Sequence, residues 1–181
     1  MLTIHLLPFG EDDFDRLIGW IPSAEFLLQW AGPSYHYPLT REQLQELMAA
    51  AVGNEPEVLL FKAVDVATGQ VIGHIELLNI DRQNRLLSIG RVLVGAPELR
   101  GRGLGRQIVL AALKIAFDEL AMHRVGLGVF AFNTPAITCY ERVGFRREGV
   151  LRDYRRVGDT YWSLVMMGIL EDEWRSARDH L

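Results

Sequence analysis

Val92 to Ile108 reads V-L-V-G-A-P-E-L-R-G-R-G-L-G-R-Q-I. An apolar run ends, a short turn follows, and an amphipathic pattern begins at Leu104. A strand that hands over to a helix through glycines leaves unpaired N–H groups at the positive end of the helix dipole. Such a turn is an anion site. Gly101, Gly103 and Gly105 remove Cβ atoms where backbone must approach a ligand closely. Arg100, Arg102 and Arg106 add positive charge, so the stretch predicts a pyrophosphate guest.

Two familiar pyrophosphate loops do not fit. The spacing G-x-G-x-x-G fails because Arg106 stands where the third glycine belongs, and no G-K-[ST] tripeptide occurs. The pattern present is [R/Q]-x-x-G-x-[G/A], carried by Arg100, Gly103 and Gly105.

The chain has 181 residues, enough for one domain with a sizeable core. Its composition, 49% hydrophobic and 23% charged, is that of an ordinary globular protein. A net charge of −4 argues against general nucleic-acid binding and makes the arginines at 100–106 a local site. A lone cysteine, Cys139, excludes an internal disulfide and fits a reducing cytoplasm. No Cys/His cluster has zinc spacing, so no metal is expected. The start, MLTIHLLPFGEDDF, lacks a basic leader, and no apolar run reaches a membrane span.

Leu2 to Leu7 reads as a strand and Glu11 to Trp20 as a helix stopped by Pro22. Ala24 to Pro38 is dense in aromatics, glycine and proline and reads as a loop. Trp30, Tyr35 and Tyr37 on it can line a pocket or lie as a lid over the core; both readings stay open. Thr40 and Gln43 form a capping-box pattern for a helix to about Val52. Val58 to Val66 and Val71 to Leu78 make a hairpin, and Arg85 to Val94 is the strand entering the glycine loop. Leu104 to Leu120 is the long helix and Arg124 to Phe130 a strand. A short helix follows, with Thr134 as cap and Pro135 in first position, ended by Gly144. Arg146 to Val157 and Thr160 to Ile169 are strands, and Glu171 to Leu181 is a polar helical tail.

Asn133 to Phe145 reads N-T-P-A-I-T-C-Y-E-R-V-G-F. With the loop before it, a helix and strand between, and the element order β-α-α-β-β-β-α-β-α-β-β, the chain resembles the GNAT N-acetyltransferases. The resemblance covers nearly the whole chain, with the core signature over about 58–169 of a single domain. It is similar in particular to the branch of ribosomal-protein N-terminal acetyltransferases. Many of that branch carry an acidic residue after the loop, where this chain has Arg106-Gln107-Ile108.

The resemblance implies an α/β (α+β) fold, with a mixed, strongly twisted central sheet of about six or seven strands and helices on both faces. It implies acetyl-CoA as cosubstrate and direct transfer of the acetyl group to a primary amine. Leu93 and Val94 would pair their backbone with the pantetheine arm. Arg100, Gly101, Arg102, Gly103, Leu104, Gly105 and Arg106 would wrap the pyrophosphate. Asn133 would bond the pantetheine, and Tyr140 would stand near the sulfur and protonate the departing thiolate. Cys139 reads as a packed thiol, because this transfer needs no acyl-enzyme.

No carboxylate lies on Ser88 to Val94, where some members of the family carry their acid. Alternation along Val71 to Leu78 puts Glu76 on one face with His74, and Glu76 is the candidate general base. Arg146, Arg147, Arg152, Arg155 and Arg156 read as a solvated surface. The acceptor is a protein N-terminus or a small-molecule amine. An aminoglycoside or polyamine acetyltransferase is the alternative within the class. A non-catalytic acetyl-CoA sensor or scaffold is the alternative outside it. A homodimer through the C-terminal strands or tail is compatible with either.

Overall fold

The computed structural model describes residues 3–53 and 55–178. Leu2 and the last three residues of the expected tail lie outside that range. Seven strands form one sheet in the order β1-β2-β3-β4-β5-β7-β6. The strands are β1 Ile4–Pro8, β2 Leu59–Asp65, β3 Val71–Asp81, β4 Leu86–Val94, β5 Arg124–Phe130, β6 Arg146–Val157 and β7 Thr160–Leu170. All neighbours are antiparallel except β4 and β5. That parallel pair is joined by the crossover helix α4, so the sheet is mixed, as the sequence leads one to expect.

Three helices precede β2: α1 Phe14–Gly19, α2 Ala24–Ala31 and α3 Arg41–Ala50. The helix α2 corrects the loop expected from Ala24 onward. Ser23 caps it by accepting from the Phe26 N–H at 3.2 Å, directly after Pro22. The capping signal was legible, but the aromatics and the Gly32-Pro33 ending obscured it. Thr40 caps α3 as expected, accepting from Gln43 N–H. The Gln43 side chain does not complete the box. It binds His36 N–H at 2.7 Å and the carbonyls of His36 and Pro38, pinning the preceding loop.

The helix α4, Leu104–Lys114, continues into a π-helical turn, Ile115–Glu119. It is followed beyond β5 by α5 Thr134–Val143 and, after β7, by α6 Glu171–Arg178. One core lies between the sheet and α4, where Ile108, Val109, Ala112 and Leu113 are fully buried against Ile75, Leu77, Leu87 and Val125. The other lies under α1–α3 and contains Phe14, Leu17, Leu27, Leu44, Tyr35 and Leu93. The strand β3 is therefore covered on both faces. Its even positions, His74 and Glu76, point away from the α4 core and lie buried on the α1–α3 side.

Asp13 ties the first helix to the sheet. Its carboxylate binds Lys62 Nζ at 3.0 Å and Gly10 N–H at 3.1 Å, and it pairs with Arg16. Burial pushes this carboxyl up, but Lys62, the Gly10 amide and Arg16 outweigh it and hold it below its usual range. The stabilisation is complete above the unfolded value near ~3.9 and is lost as pH falls through the lower folded value. Asp13→Asn should cost about 1–2 kcal/mol at neutral pH, a modest figure because Arg16 and Lys62 remain partly in water. Denaturant melts between neutrality and the acid limb should show the variant losing stability less steeply than the parent.

Candidate active site

The strands β4 and β5 pair only through Leu86–Arg124, Leu87–Val125 and Ser88–Gly126. Beyond Ser88 they diverge, and a cleft of about 970 Å³ opens between them. A bulge in β4 bends that arm. His74 stands opposite Leu93, yet Glu76 stands opposite Gly90, so β4 carries an extra residue there. Arg91 sits in the bulge at φ 49°, left-handed backbone that a non-glycine residue adopts only when its surroundings hold it. The free edge of residues 89–94 presents backbone N–H and C=O groups to the cleft.

The glycine loop closes one end. After a turn at Pro97–Leu99, Gly103 takes the N-cap position of α4 in left-handed conformation, φ 81°, and no side chain caps the helix. A Cβ at Gly101 or Gly103 would meet nothing within 4 Å. The space over the loop is therefore open, and the helix N-terminus faces it without a protein acceptor. Gly101, Gly103, Gly105 and Arg106 line the cleft; Arg102 and Leu104 do not. Uncapped amides at a helix start, open space and arginine charge suit a pyrophosphate.

Arg100 also lines the cleft, but its guanidinium turns back. It donates to Val94 O at 3.1 Å and Gly95 O at 2.9 Å and lies 5.4 Å over the Phe26 ring. It clamps the loop to α2, so its charge serves the fold of the loop first. Because Gly103 needs its conformation rather than its smallness, Gly103→Ala meets no clash but opposes a left-handed residue by about 1–2 kcal/mol. The expected result is a several-fold rise in KM for acetyl-CoA with kcat nearly unchanged, read from steady-state kinetics.

The helix α5 forms the other wall. Asn133, not Thr134, is its N-cap, and Asn133 Oδ1 accepts from Ala136 N–H at 3.3 Å. Its amide NH₂ makes no hydrogen bond among the described residues and lies on the cleft. Tyr140 lines the same wall, with its ring edge-on to Phe145 at 5.9 Å. Burial pushes its phenol up, so it holds its proton at neutral pH. Cys139 is half-buried beside it; burial raises the thiol, with Arg106 and Arg142 opposing, which makes it a poor nucleophile.

Leu93 and Val94 lie on the cleft as expected. Glu76 does not. It is fully buried, Oε1 is 3.0 Å from His74 Nε2, and Oε2 accepts from Arg91 Nη1. Both oxygens are held, so a direct base role for Glu76 has no geometry behind it. Of the three candidate aromatics, only Trp30 lines the cleft. Tyr35 is buried behind it, 6.3 Å away and nearly parallel. Tyr37 is half-exposed and donates to Pro22 O at 3.4 Å.

Sequence reasoning missed Arg91 and Arg155, both on the cleft. Arg155 comes from a strand whose side chains were expected to alternate into solvent. From Leu151 to Arg155 β6 advances four residues while β7 moves two, from Leu164 to Trp162, and Asp153 adopts φ 50°. That irregularity turns Tyr154 and Arg155 toward the cleft.

A sheet splayed at one parallel pair, with an anion-binding helix start on one wall and a protonated phenol on the other, defines an acyltransferase cleft for a nucleotide-linked thioester. The model of the acetyltransferase (GNAT) family matches residues 24–145, and the chain belongs to that family. It is an acetyl-CoA-dependent N-acetyltransferase. It is 29% identical over 141 residues to the SPbeta prophage-derived uncharacterized N-acetyltransferase YokL of Bacillus subtilis (strain 168), covering 78% of this chain and 77% of that one. It is 29% identical over 133 residues to a spermidine N(1)-acetyltransferase of Vibrio cholerae, covering 74% and 75%. In fold it matches a crystal structure of spermidine N-acetyltransferase from Vibrio cholerae in complex with CoA and spermine. The TM-score is 0.83 at 23% identity, over 96% of this chain and 98% of the other.

Proposed function

We propose that the cleft holds acetyl-CoA along the free edge of β4 and that a small primary amine enters from the α2 side. The observation that carries this is the continuity of the cleft, from Gly101–Arg106 past residues 89–94 to Trp30 on α2. The thioester supplies an activated acetyl group. Around it, each protein group has a task that follows from its position.

The α4 amides, aimed into the open space by the left-handed turn at Gly103, stabilise the pyrophosphate. The free N–H groups of residues 89–94 stabilise charge developing on the carbonyl oxygen. Asn133 positions the pantetheine arm through its amide NH₂. Tyr140 donates to the sulfur as the C–S bond breaks; burial raises its phenol, so the proton it must deliver is still in place at neutral pH. The acceptor must arrive neutral, and no carboxylate among the described residues lines the cleft, so its proton leaves through water rather than to Glu76. Glu76 acts by fixing Arg91.

A small-molecule acceptor is favoured over a protein N-terminus because this end is lined from several elements, by Trp30 of α2, Tyr154 of β6 and Leu164 of β7. Among the described residues no helix is long and apolar enough to cross a membrane. A cytoplasmic location is proposed on the cosubstrate alone, since acetyl-CoA is made and used there. A homodimer is proposed through the edge strand β6, whose Val150 and Leu151 are exposed. Sedimentation over a concentration series tests it. For the reaction, free-thiol release from acetyl-CoA should depend on added amine and yield one acetylated product per thiol. Release that is independent of amine, or tight cofactor binding with no release, would contradict direct transfer.

A further inference from the structure

Five buried side-chain polar atoms have no hydrogen-bond partner among the described residues: Trp30 Nε1, the Tyr35 hydroxyl, His74 Nδ1, Arg91 Nε and Arg155 Nε. They gather at the acceptor end. Trp30, Arg91 and Arg155 line the cleft. Tyr35 stacks on Trp30 and carries the Arg91 guanidinium 5.0 Å over its ring. His74 meets Trp30 edge-on at 5.9 Å. Trp30, Arg91 and Arg155 thus pack closely into the wall of that end. The guanidinium groups of Arg91 and Arg155 can only donate. A guest that meets them on the cleft offers an oxygen acceptor.

Charge points the same way. Among the described residues the cleft is lined by five arginines and by no aspartate or glutamate. Arg100 is tied into the loop, and Arg106 and Arg142 stand near Cys139 on the cofactor side. Arg91 and Arg155 remain at the acceptor end. Arg91 is balanced from behind by the buried Glu76, whose other oxygen faces His74. Arg155 has no ion-pair partner among the described residues and rests 5.4 Å over Tyr154. The wall facing the acceptor is therefore net positive, which repels a polycation and attracts an anion.

From this we infer that the acceptor is a primary amine that also bears an anionic oxygen group, a carboxylate or a phosphate. The inference rests on the transferase reading above. The guanidinium groups of Arg155 and Arg91, on the cleft wall, hold the anionic group and leave the amine directed at the acetyl carbon. The amine nitrogen forms the new C–N bond, the C–S bond breaks, Tyr140 protonates the sulfur, and the amine loses its proton to water. Arginine rather than lysine at this place suits planar, two-point recognition of such oxygens.

Thiol release by the intact protein should be measured with four acceptors: an ω-amino carboxylate, its carboxamide, an aminoalkyl phosphate of matched length, and spermidine. At least one anionic amine is expected to exceed the carboxamide and spermidine about tenfold or more in kcat/KM. The better of the two anions identifies the source of the charge. Arg155→Gln should lower kcat/KM for the anionic amine toward that of the carboxamide, mainly through KM, and Arg155→Glu should shift preference toward spermidine. Arg152→Gln, exposed on the same strand, should leave the preference as it is. Spermidine or the carboxamide used as well as the anionic amines would overturn this inference and leave the transferase intact. No release with any acceptor, while coenzyme A still binds, would overturn both.

Discussion

Tyr140→Phe is expected to lower kcat by about 10²–10⁴ while KM for acetyl-CoA changes little. The substitution removes one hydroxyl and leaves the ring packed on Phe145. The hydroxyl has no other partner among the described residues, so its loss does not strip a hydrogen bond from the fold. What is lost is the proton offered to the leaving sulfur, an interaction made only as the C–S bond breaks, and that loss falls on kcat. An acetyl donor whose leaving group needs no protonation separates this from a packing effect. Acetyl transfer from an activated aryl thioester should be nearly indifferent to the change. Because burial keeps the phenol protonated well above neutrality, the parent should show no loss of activity from Tyr140 ionisation as pH rises to about 9. Equal loss with both thioesters would assign Tyr140 to packing alone.

Glu76→Gln is expected to cost about 3–5 kcal/mol of stability, a large fraction of what a domain this size has. The carboxylate is fully buried between His74 and Arg91, and the Arg91 side chain is itself only 11% exposed. Removing the charge leaves the arginine desolvated without its counter-ion and frees a residue held in left-handed backbone at the β4 bulge. At roughly 2–4 °C per kcal/mol, the thermal midpoint should fall by roughly 6–20 °C. The double variant Glu76→Gln with Arg91→Met removes both charges and should recover much of that loss. Where the single variant still folds, its pH–rate profile should keep the parent's shape, since Glu76 touches no acceptor. A lost acidic limb would return Glu76 to the role of base.

These two residues also mark where the sequence was informative and where it was not. The loop at 100–106 and the segment Asn133–Phe145 were legible because glycine spacing, a helix start and a phenol at fixed separation encode local geometry. Strand β2 was legible from the β-branched and aromatic content of Val58 to Val66. The role of Glu76 was not, because alternation along β3 says which side a residue takes but not what covers that side. Three helices cover it, and one of them, α2, hid behind its aromatic content. Arg155 was invisible for a related reason. A bulge breaks the two-residue period on which any inside–outside assignment for β6 depends. Arg100 shows a third limit: a guanidinium beside a phosphate loop can as well bind the loop's own carbonyls.

The account depends on a diphosphate lying over the uncapped start of α4 between the parted strands. Backbone amide spectra recorded during titration with coenzyme A test that placement residue by residue. The predicted result is saturable binding, with the largest shifts at Gly101, Gly103, Gly105 and Arg106 and along residues 89–94. Absence of binding, or shifts centred on another face of the sheet with these amides unmoved, would contradict it.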